Sequence, residues 1–293
     1  MSEAAARCLD CGGLLTGRYC AACGQPANTH MLSMHDVAHD LVHSVLHLDS
    51  RVWKTLRSLL LRPGELTNAF IEGKRQRYLP PFRLYLVLSV LFFALSALLP
   101  GAELVHTNAD GDTVIGYAEP GSNATDFDVP TGSRLNLDLP GLDEKLDSAL
   151  EKLKADGGAA LSRAFLANAP KLMFVFLPLM AAVSLLFYWK PRRLYAEHLV
   201  LFLHTHAFLF LVLSVMTVLD ALTRLGTPLL VLAGLARLLA TLYAPAYVYR
   251  AMRRVYREGR LVTGIKFVAI AVIYFVLLGI TLLGGLLYSA LSL

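Results

Sequence analysis

Four cysteines near the N-terminus form two Cys-x-x-Cys pairs, within the stretch CLDCGGLLTGRYCAACG. They are Cys8, Cys11, Cys20 and Cys23, and the chain contains no other cysteine. Zn²⁺ binds four thiolates at tetrahedral geometry, and the glycine after each pair lets the backbone turn back toward the metal. Disulfides are the alternative, but they need an oxidising compartment, and no secretory signal precedes the pairs. The spacing therefore predicts a structural zinc knuckle in a reducing compartment.

A second set of ionisable residues lies within apolar segments. The stretch YAEHLVLFLHTHAFLFL carries Glu197, His198, His204 and His206, and Arg237 lies near the middle of the next apolar segment. Ionisable groups in hydrocarbon cost at least a few kcal/mol unless they face a partner or a water-filled cavity. If these side chains face one another, they could bind an anion, carry protons or hold helices together. The sequence leaves a structural polar network and a transport site both open.

Four histidines form a row at helical spacing before the first apolar segment. They are His35, His39, His43 and His47, one turn apart if the segment is helical. Such a row could bind metal or respond to pH. Histidine is also an ordinary interfacial residue, with an apolar body and a polar tip. The role of the row stays open.

The composition is that of an integral membrane protein. Hydrophobic residues make up 56% of the chain and charged residues only 17%, with a mean hydropathy of +0.54, which is too apolar for a soluble domain of this length. The net charge is +5. The basic residues gather at the ends of apolar segments, where they set topology, so the charge does not point to nucleic acid.

Five apolar stretches are long enough to cross about 30 Å of hydrocarbon. Around them we predict a knuckle over residues 1–30, amphipathic interfacial helices over 31–78, a mixed insertion over 100–170 and a four-helix transmembrane region over 171–293. The predicted spanning segments are Leu79–Leu99, Lys171–Trp189, Ala196–Leu219, Pro228–Tyr249 and Ile265–Leu291. The fold class is thus an all-α polytopic membrane protein with a small N-terminal knuckle.

The segment between the knuckle and the first span reads as helices on the bilayer surface. Val52, Leu56 and Leu59 recur at helical spacing, and Pro63 would start a further short helix ending near Gly73. An apolar stripe with a tryptophan and flanking arginines suits a helix beside anionic lipid headgroups. The alternative is that the stripe packs on the protein's own cytosolic loops. In the insertion, GDTVIGYAEPG and TGSRLNLDLPG resemble short strands, and residues 142–153 resemble a helix.

Orientation follows from the distribution of arginine and lysine. Basic residues crowd the segment before the first span and the connections between the second and third and between the fourth and fifth spans. The insertion is rich in acidic residues instead. The positive-inside tendency places the N-terminus in the cytosol and the C-terminus outside, which in a bacterium would be the periplasm. Retained thiolates agree with this, because the cytosol is reducing.

Three stretches together carry a resemblance to a known family. They are GRYCAACGQ at residues 17–25, LDSRVWKTLRSLLLRPGELTNAFIEGKRQRYLPPFRLYL at residues 48–86, and YAEHLVLFLHTHAF. The chain resembles the bacterial inner-membrane family catalogued as domain of unknown function 3667. The resemblance implies an inner-membrane location, a zinc-ribbon-like N-terminus and a shared use of Arg75, Arg77, Tyr78 and Pro80. It implies no activity.

Two classes of function fit these features. The first is a scaffold or assembly module, in which the knuckle and the basic surface helices recruit a cytosolic partner or anionic lipid. The second is a transporter or channel for protons or a small solute, using Glu197, His204, His206 and Arg237. We favour the first, because a closed four-cysteine zinc site is structural and not catalytic. A membrane enzyme acting on lipid is third, and a homo-oligomer is left open.

Overall fold

A computed structural model describes residues 7–27, 50–99, 105–107, 113–115, 159–189, 193–223 and 227–291. In this part of the chain there are seven helices and one pair of short strands. In chain order they are α1 (Ser50–Leu61), α2 (Glu65–Ile71), α3 (Pro81–Leu98), β1 (Val105–Thr107), β2 (Thr113–Ile115), α4 (Ala159–Phe187), α5 (Tyr195–Thr223), α6 (Thr227–Tyr256) and α7 (Arg260–Leu291).

Helices α3 to α7 are long and apolar enough to span a membrane. The qualifying segments are Pro81–Leu98, Ala167–Phe187, Tyr195–Thr223, Leu230–Tyr256 and Arg260–Ser289. The chain is therefore a multi-pass, all-α membrane protein, and the predicted fold class is confirmed. Helix α3 is slightly shorter than the predicted segment Leu79–Leu99, whereas the other four helices are longer: α4 begins before Lys171, and α6 runs past Tyr249 to Tyr256. Polar residues at a span's end can continue its helix because backbone hydrogen bonds close regardless of side-chain polarity.

The strand prediction for GDTVI is confirmed in the insertion. Strand β2 pairs antiparallel with β1, with Val105 opposite Ile115 and Thr107 opposite Thr113. The other predicted elements there, the strand in TGSRLNLDLPG and the helix over 142–153, lie outside the described residues. So do His35, His39, His43 and His47, which remain a prediction.

The described residues fall into two compact units. One comprises Met1–Val90, Leu177–Leu213 and Leu235–Ala271; the other comprises Leu91–Phe176, Ser214–Gly234 and Val272–Leu293. In the second unit, the ring of Phe176 packs edge-on against Tyr274 with centroids 5.0 Å apart. The side-chain amide of Asn168 donates to the Ser289 hydroxyl there at 3.3 Å. The first unit contains the cysteines together with α1 and α2.

Helices α1 and α2 form a hairpin in the first unit. Thr55, Ser58 and Leu59 are buried at helical spacing in α1, whereas Trp53 on the opposite face is 77% exposed. The chain turns at Gly64, which has φ of +75° and caps α2. Pro63 therefore precedes the helix that it was predicted to start. A positive φ favours glycine because it has no Cβ to clash with the backbone.

The hairpin is anchored on the last turns of α6. The side chains of Glu65 and Arg254 form an ion pair, and the Asn68 amide donates to the Arg254 carbonyl at 3.3 Å. A Cβ at Gly64 would lie 3.0 Å from the Ala251 carbonyl oxygen. Along the hairpin, the Tyr243 hydroxyl donates to the Leu60 carbonyl at 2.6 Å. These contacts hold a surface-type helix directly against a membrane-spanning helix.

Candidate functional site

The cysteines sit on two turns of the same local design. In each turn, the carbonyl of the first cysteine accepts a hydrogen bond from a glycine N–H four residues later: Gly12 to Cys8 at 2.9 Å and Gly24 to Cys20 at 2.8 Å. Both glycines have positive φ, +77° and +74°. Each left-handed glycine reverses the chain, so that both thiols of a pair point to the same side.

The four sulfur atoms converge on one point. All four Sγ atoms lie within 4.8 Å of one another. The Cys8–Cys23 and Cys11–Cys20 distances are 3.6 and 3.5 Å. A tetrahedral ion with sulfur ligands at about 2.3 Å needs sulfur–sulfur edges of roughly 3.8 Å. The donor set therefore fits a four-coordinate soft metal ion with little adjustment.

The backbone around Cys20 favours a thiolate, whereas at Cys23 the Gln25 N–H is outweighed by burial and the neighbouring thiols, which raise the pKa to about 12. The N–H groups of Ala22 and Cys23 point at the Cys20 sulfur and, with the neighbouring Cys11 thiol, lower the pKa of Cys20 to about 7. A lowered pKa favours metal binding because the thiolate, not the thiol, is the ligand.

Gln25 joins the knuckle to the membrane-embedded body. Its side chain is 1% exposed. The amide nitrogen donates to the Gly73 carbonyl at 2.9 Å, and the amide oxygen accepts from the Arg75 N–H at 3.1 Å. One side-chain amide thus satisfies both a donor and an acceptor of the loop after α2, as a paired strand would. Gln25 comes two residues after the last cysteine, so the second cysteine turn fixes its position.

A second contact holds the first cysteine turn to the same loop. The Arg77 guanidinium donates to the Asp10 carbonyl at 3.1 Å, and its Nε lies 3.3 Å from the Asp10 carboxylate. Asp10 lies between the first two cysteines. The predicted shared residues therefore have distinct places: the Arg75 backbone and the Arg77 side chain contact the knuckle, and Tyr78 is buried.

The same loop is also tied to α1. The Leu79 N–H donates to the Thr55 hydroxyl at 3.1 Å, and Arg51 donates to the Gln76 side-chain oxygen at 2.9 Å. Residues 73–79, which we call the docking loop, are therefore held on one side by the cysteine turns and on the other by α1. A conformational change in the cysteine turns can therefore be transmitted to the hairpin through the docking loop.

His204 connects the hairpin to the membrane helices. Its Nδ1 lies 3.0 Å from the hydroxyl of Thr67, and Thr67 is fully buried. A small cavity of about 30 Å³, enough for a water molecule, is lined by both His204 and docking-loop residues such as Arg75 and Tyr78. Two of the three sequence stretches that carry the family resemblance, residues 48–86 and the stretch with His204, therefore meet in space.

His198 belongs to a separate polar cluster at the ends of α4, α5 and α6. Its Nδ1 shares a 2.6 Å hydrogen bond with the Tyr256 hydroxyl, and Tyr256 stacks on Tyr188 with centroids 3.7 Å apart. Lys266 lies over the Tyr188 ring and pairs with Glu258 at 2.6 Å. Within the described part of the chain, His198 Nε2, Tyr188 Oη and Glu258 Oε2 are buried without a hydrogen-bond partner.

The remaining intramembrane residues do not gather into one site. Glu197 pairs with Arg193 at 3.1 Å, and the His206 Nδ1 contacts the Phe202 carbonyl of its own helix at 2.9 Å. Arg237 lies nineteen residues before Tyr256 on α6, or about 28 Å along the helix axis. Because His198 contacts Tyr256, the adjacent Glu197 lies at that far end. The structure does not bring Glu197 and Arg237 together.

Fold and site define a multi-pass membrane protein with a four-cysteine cluster docked on its first helical hairpin. Residues 49–93 match a family model described as "Protein of unknown function (DUF3667)". The family resemblance seen in the sequence is thereby confirmed over the hairpin, the docking loop and most of α3. No curated protein and no solved structure matches the chain.

Sequence reasoning missed Gln25, Asp10 and Thr67 as connecting residues. Gln25 was visible as the last letter of GRYCAACGQ, but a polar residue beside a knuckle carries no signal of burial. Thr67 is one of several small polar residues in the hairpin, and only its position opposite His204 distinguishes it.

Proposed function

We propose that this protein is a zinc-knuckle scaffold of the bacterial inner membrane, which presents a cytosolic surface for a protein partner or anionic lipid. The observation that carries the proposal is the Gln25 amide, which bonds both to the Gly73 carbonyl and to the Arg75 N–H. A knuckle on a free tether would need no such bonds. Docked in this way, the knuckle is a fixed platform on the membrane body.

Zinc is the metal that suits the site best. Four thiolates at tetrahedral spacing are the ligand set of structural zinc sites, which keep no open position for substrate. The proposed role is therefore to fold the N-terminal turns and to position Gln25 and Asp10 on the docking loop.

The knuckle offers apolar side chains to a partner. Leu9, Leu14 and Tyr19 are 54%, 57% and 64% exposed. These exposed apolar side chains are available for contact with another surface, as apolar groups at interaction sites are. The proposed partner is a cytosolic protein, and a second copy of this chain would meet the same surface in a homo-oligomer. Nucleic acid has no support beyond the net charge.

One observation favours the transport alternative. The buried, unpartnered atoms of His198, Tyr188 and Glu258 cluster where three membrane helices end. Such atoms could pass protons through intervening water. Arg237 is too far from Glu197 to complete that path. The residues on which the transport alternative rested therefore do not form a single cluster.

The proposal requires the knuckle to face the cytosol, and cysteine labelling tests that requirement. In a chain whose native cysteines are replaced, Thr107→Cys in β1 should react with a membrane-impermeant maleimide in intact cells lacking an outer-membrane barrier. Ser2→Cys should react only after the inner membrane is permeabilised, because basic segments flank the N-terminal side. The reverse pattern would place the knuckle outside and end the scaffold proposal.

A further inference from the structure

A basic groove runs beside the exposed face of α1. It has a volume of about 510 Å³, and its walls include Trp53, Lys54, Arg57, Leu61, Arg62 and Tyr78. Three of these side chains are cationic and three are apolar or aromatic. The groove ends at the docking loop, since Tyr78 belongs to both.

The described carboxylates do not neutralise the three cations of the groove. Among the described residues, no carboxylate forms an ion pair with Lys54, Arg57 or Arg62. Lys54 lies over the Tyr78 ring, 5.7 Å from its centroid. Other cations near this hairpin do have acidic partners, as Arg254 does in Glu65. Three cations with no carboxylate partner among the described residues, placed around one concave surface, create a positive potential that favours an anionic occupant.

The position of α1 places the groove at the membrane interface. The Tyr243 hydroxyl bonds to the Leu60 carbonyl, and Tyr243 belongs to a membrane-spanning segment. It lies seven residues from Arg250, or about 10 Å along the helix toward the apolar part. The C-terminal end of α1 is therefore held against the apolar part of a spanning helix. Trp53 and Leu61, 77% and 67% exposed, fit the acyl–headgroup boundary.

We infer that this groove binds the phosphate headgroup of an anionic phospholipid of the cytosolic leaflet. The cations would contact the phosphate, and Trp53 and Leu61 would contact the upper acyl chain. A soluble anion would use only the cations and leave the apolar wall without a role. The inference rests on the proposed function in one respect: the hairpin must face the cytosolic leaflet.

Quenching of Trp53 fluorescence tests the inference. The full chain with Trp189→Phe, which leaves Trp53 as its only tryptophan, is reconstituted in phosphatidylcholine vesicles containing a minor fraction of phosphatidylglycerol. In one sample the phosphatidylglycerol carries bromine on its acyl chains; in the other, an equal amount of phosphatidylcholine does. Each cation near an anionic headgroup favours binding about fivefold. Brominated phosphatidylglycerol should therefore quench Trp53 several times more than brominated phosphatidylcholine.

Charge-neutral variants distinguish lipid binding in the groove from general attraction of anionic lipid to the basic protein surface. Lys54→Gln, Arg57→Gln and Arg62→Gln together should make the two lipids quench equally. Arg57→Gln alone should reduce the relative affinity for phosphatidylglycerol about fivefold and so lower the quenching preference, and it replaces the triple variant if that does not fold. The matched control neutralises the exposed cations Arg250, Arg253 and Arg260 at the ends of α6 and α7. That control should keep the preference.

Four results would overturn the inference. The first is equal quenching of Trp53 by the two brominated lipids when the groove is unaltered. The second is that the control triple variant loses the lipid preference as fully as the groove variant does, and the third is that inorganic phosphate abolishes the preference. The fourth is a preference that appears only after Asp36, Asp40 and Asp49 are changed to Asn. Competition would assign the groove to a soluble anion, and the last result would assign it to the chain's own preceding segment. Zinc content of these preparations, together with labelling of the separate cysteine-replaced chain, shows independently whether the scaffold proposal stands.

Discussion

Purified protein should contain one zinc ion per chain, and the double variant Cys8→Ser, Cys11→Ser should contain almost none. The four Sγ atoms lie within 4.8 Å of one another. A hydroxyl is a poor ligand for zinc at a site built for thiolates, and two lost ligands leave half of the tetrahedron. Metal analysis by mass spectrometry, normalised to protein, measures the result.

A control for this variant lies in the same turn. Asp10→Asn removes a charge between the two cysteines but no sulfur ligand, so zinc content should stay unchanged while the contact with Arg77 weakens. Equal zinc in the unaltered protein and the double serine variant would contradict the metal site.

Gly64→Ala should destabilise the protein by about 2–4 kcal/mol, from a left-handed backbone unfavourable for alanine and from overpacking. Gly64 has φ of +75°, and its added Cβ would lie 3.0 Å from the Ala251 carbonyl and 3.3 Å from the Arg254 Cβ. The Ala251 Cα would lie at 3.2 Å, so two of the three neighbours of the new methyl group are backbone atoms of α6, which cannot rotate away. Thermal unfolding in detergent, followed by circular dichroism, measures the loss.

The matched control is Gly264→Ala in α7. Gly264 does not have a positive φ, and no atom lies within 4 Å of an added Cβ. Alanine is favoured over glycine in a helix by about 1 kcal/mol, so this variant should be neutral or slightly stabilised. A Gly64→Ala protein as stable as the control would mean that the hairpin does not sit closely on α6.

Apolar runs, helical spacing and overall composition were enough to predict the fold. The five spans and the α1 helix follow from apolar runs and helical spacing, which are local properties of the chain. Helix ends were less accurate, because α6 continues through Arg253 and Arg254 although the apolar run ends before Arg250. The thiol cluster was predictable too, since two Cys-x-x-Cys turns with following glycines leave few other geometries.

Contacts between distant segments were not predictable. Gln25 and Gly73 are 48 residues apart, and Thr67 and His204 are 137 residues apart; no spacing rule relates them. The intramembrane residues show the opposite error. Glu197 and Arg237 have opposite charges at membrane depth, which suggested that they meet, but α5 and α6 place them at different heights. A charged residue at membrane depth needs a partner, but its charge does not show which residue that partner is.

Amide hydrogen exchange in the docking loop tests the central claim most directly, because the Arg75 N–H donates to Gln25. Exchange in a peptide covering residues 73–79 is compared between zinc-loaded and chelator-treated protein, with a peptide from α7 as internal reference. Zinc removal should speed exchange at least about fivefold, the effect of losing one net hydrogen bond, and Gln25→Ala should do the same with zinc bound. Unchanged exchange in both cases would show that the knuckle is not docked on the membrane body.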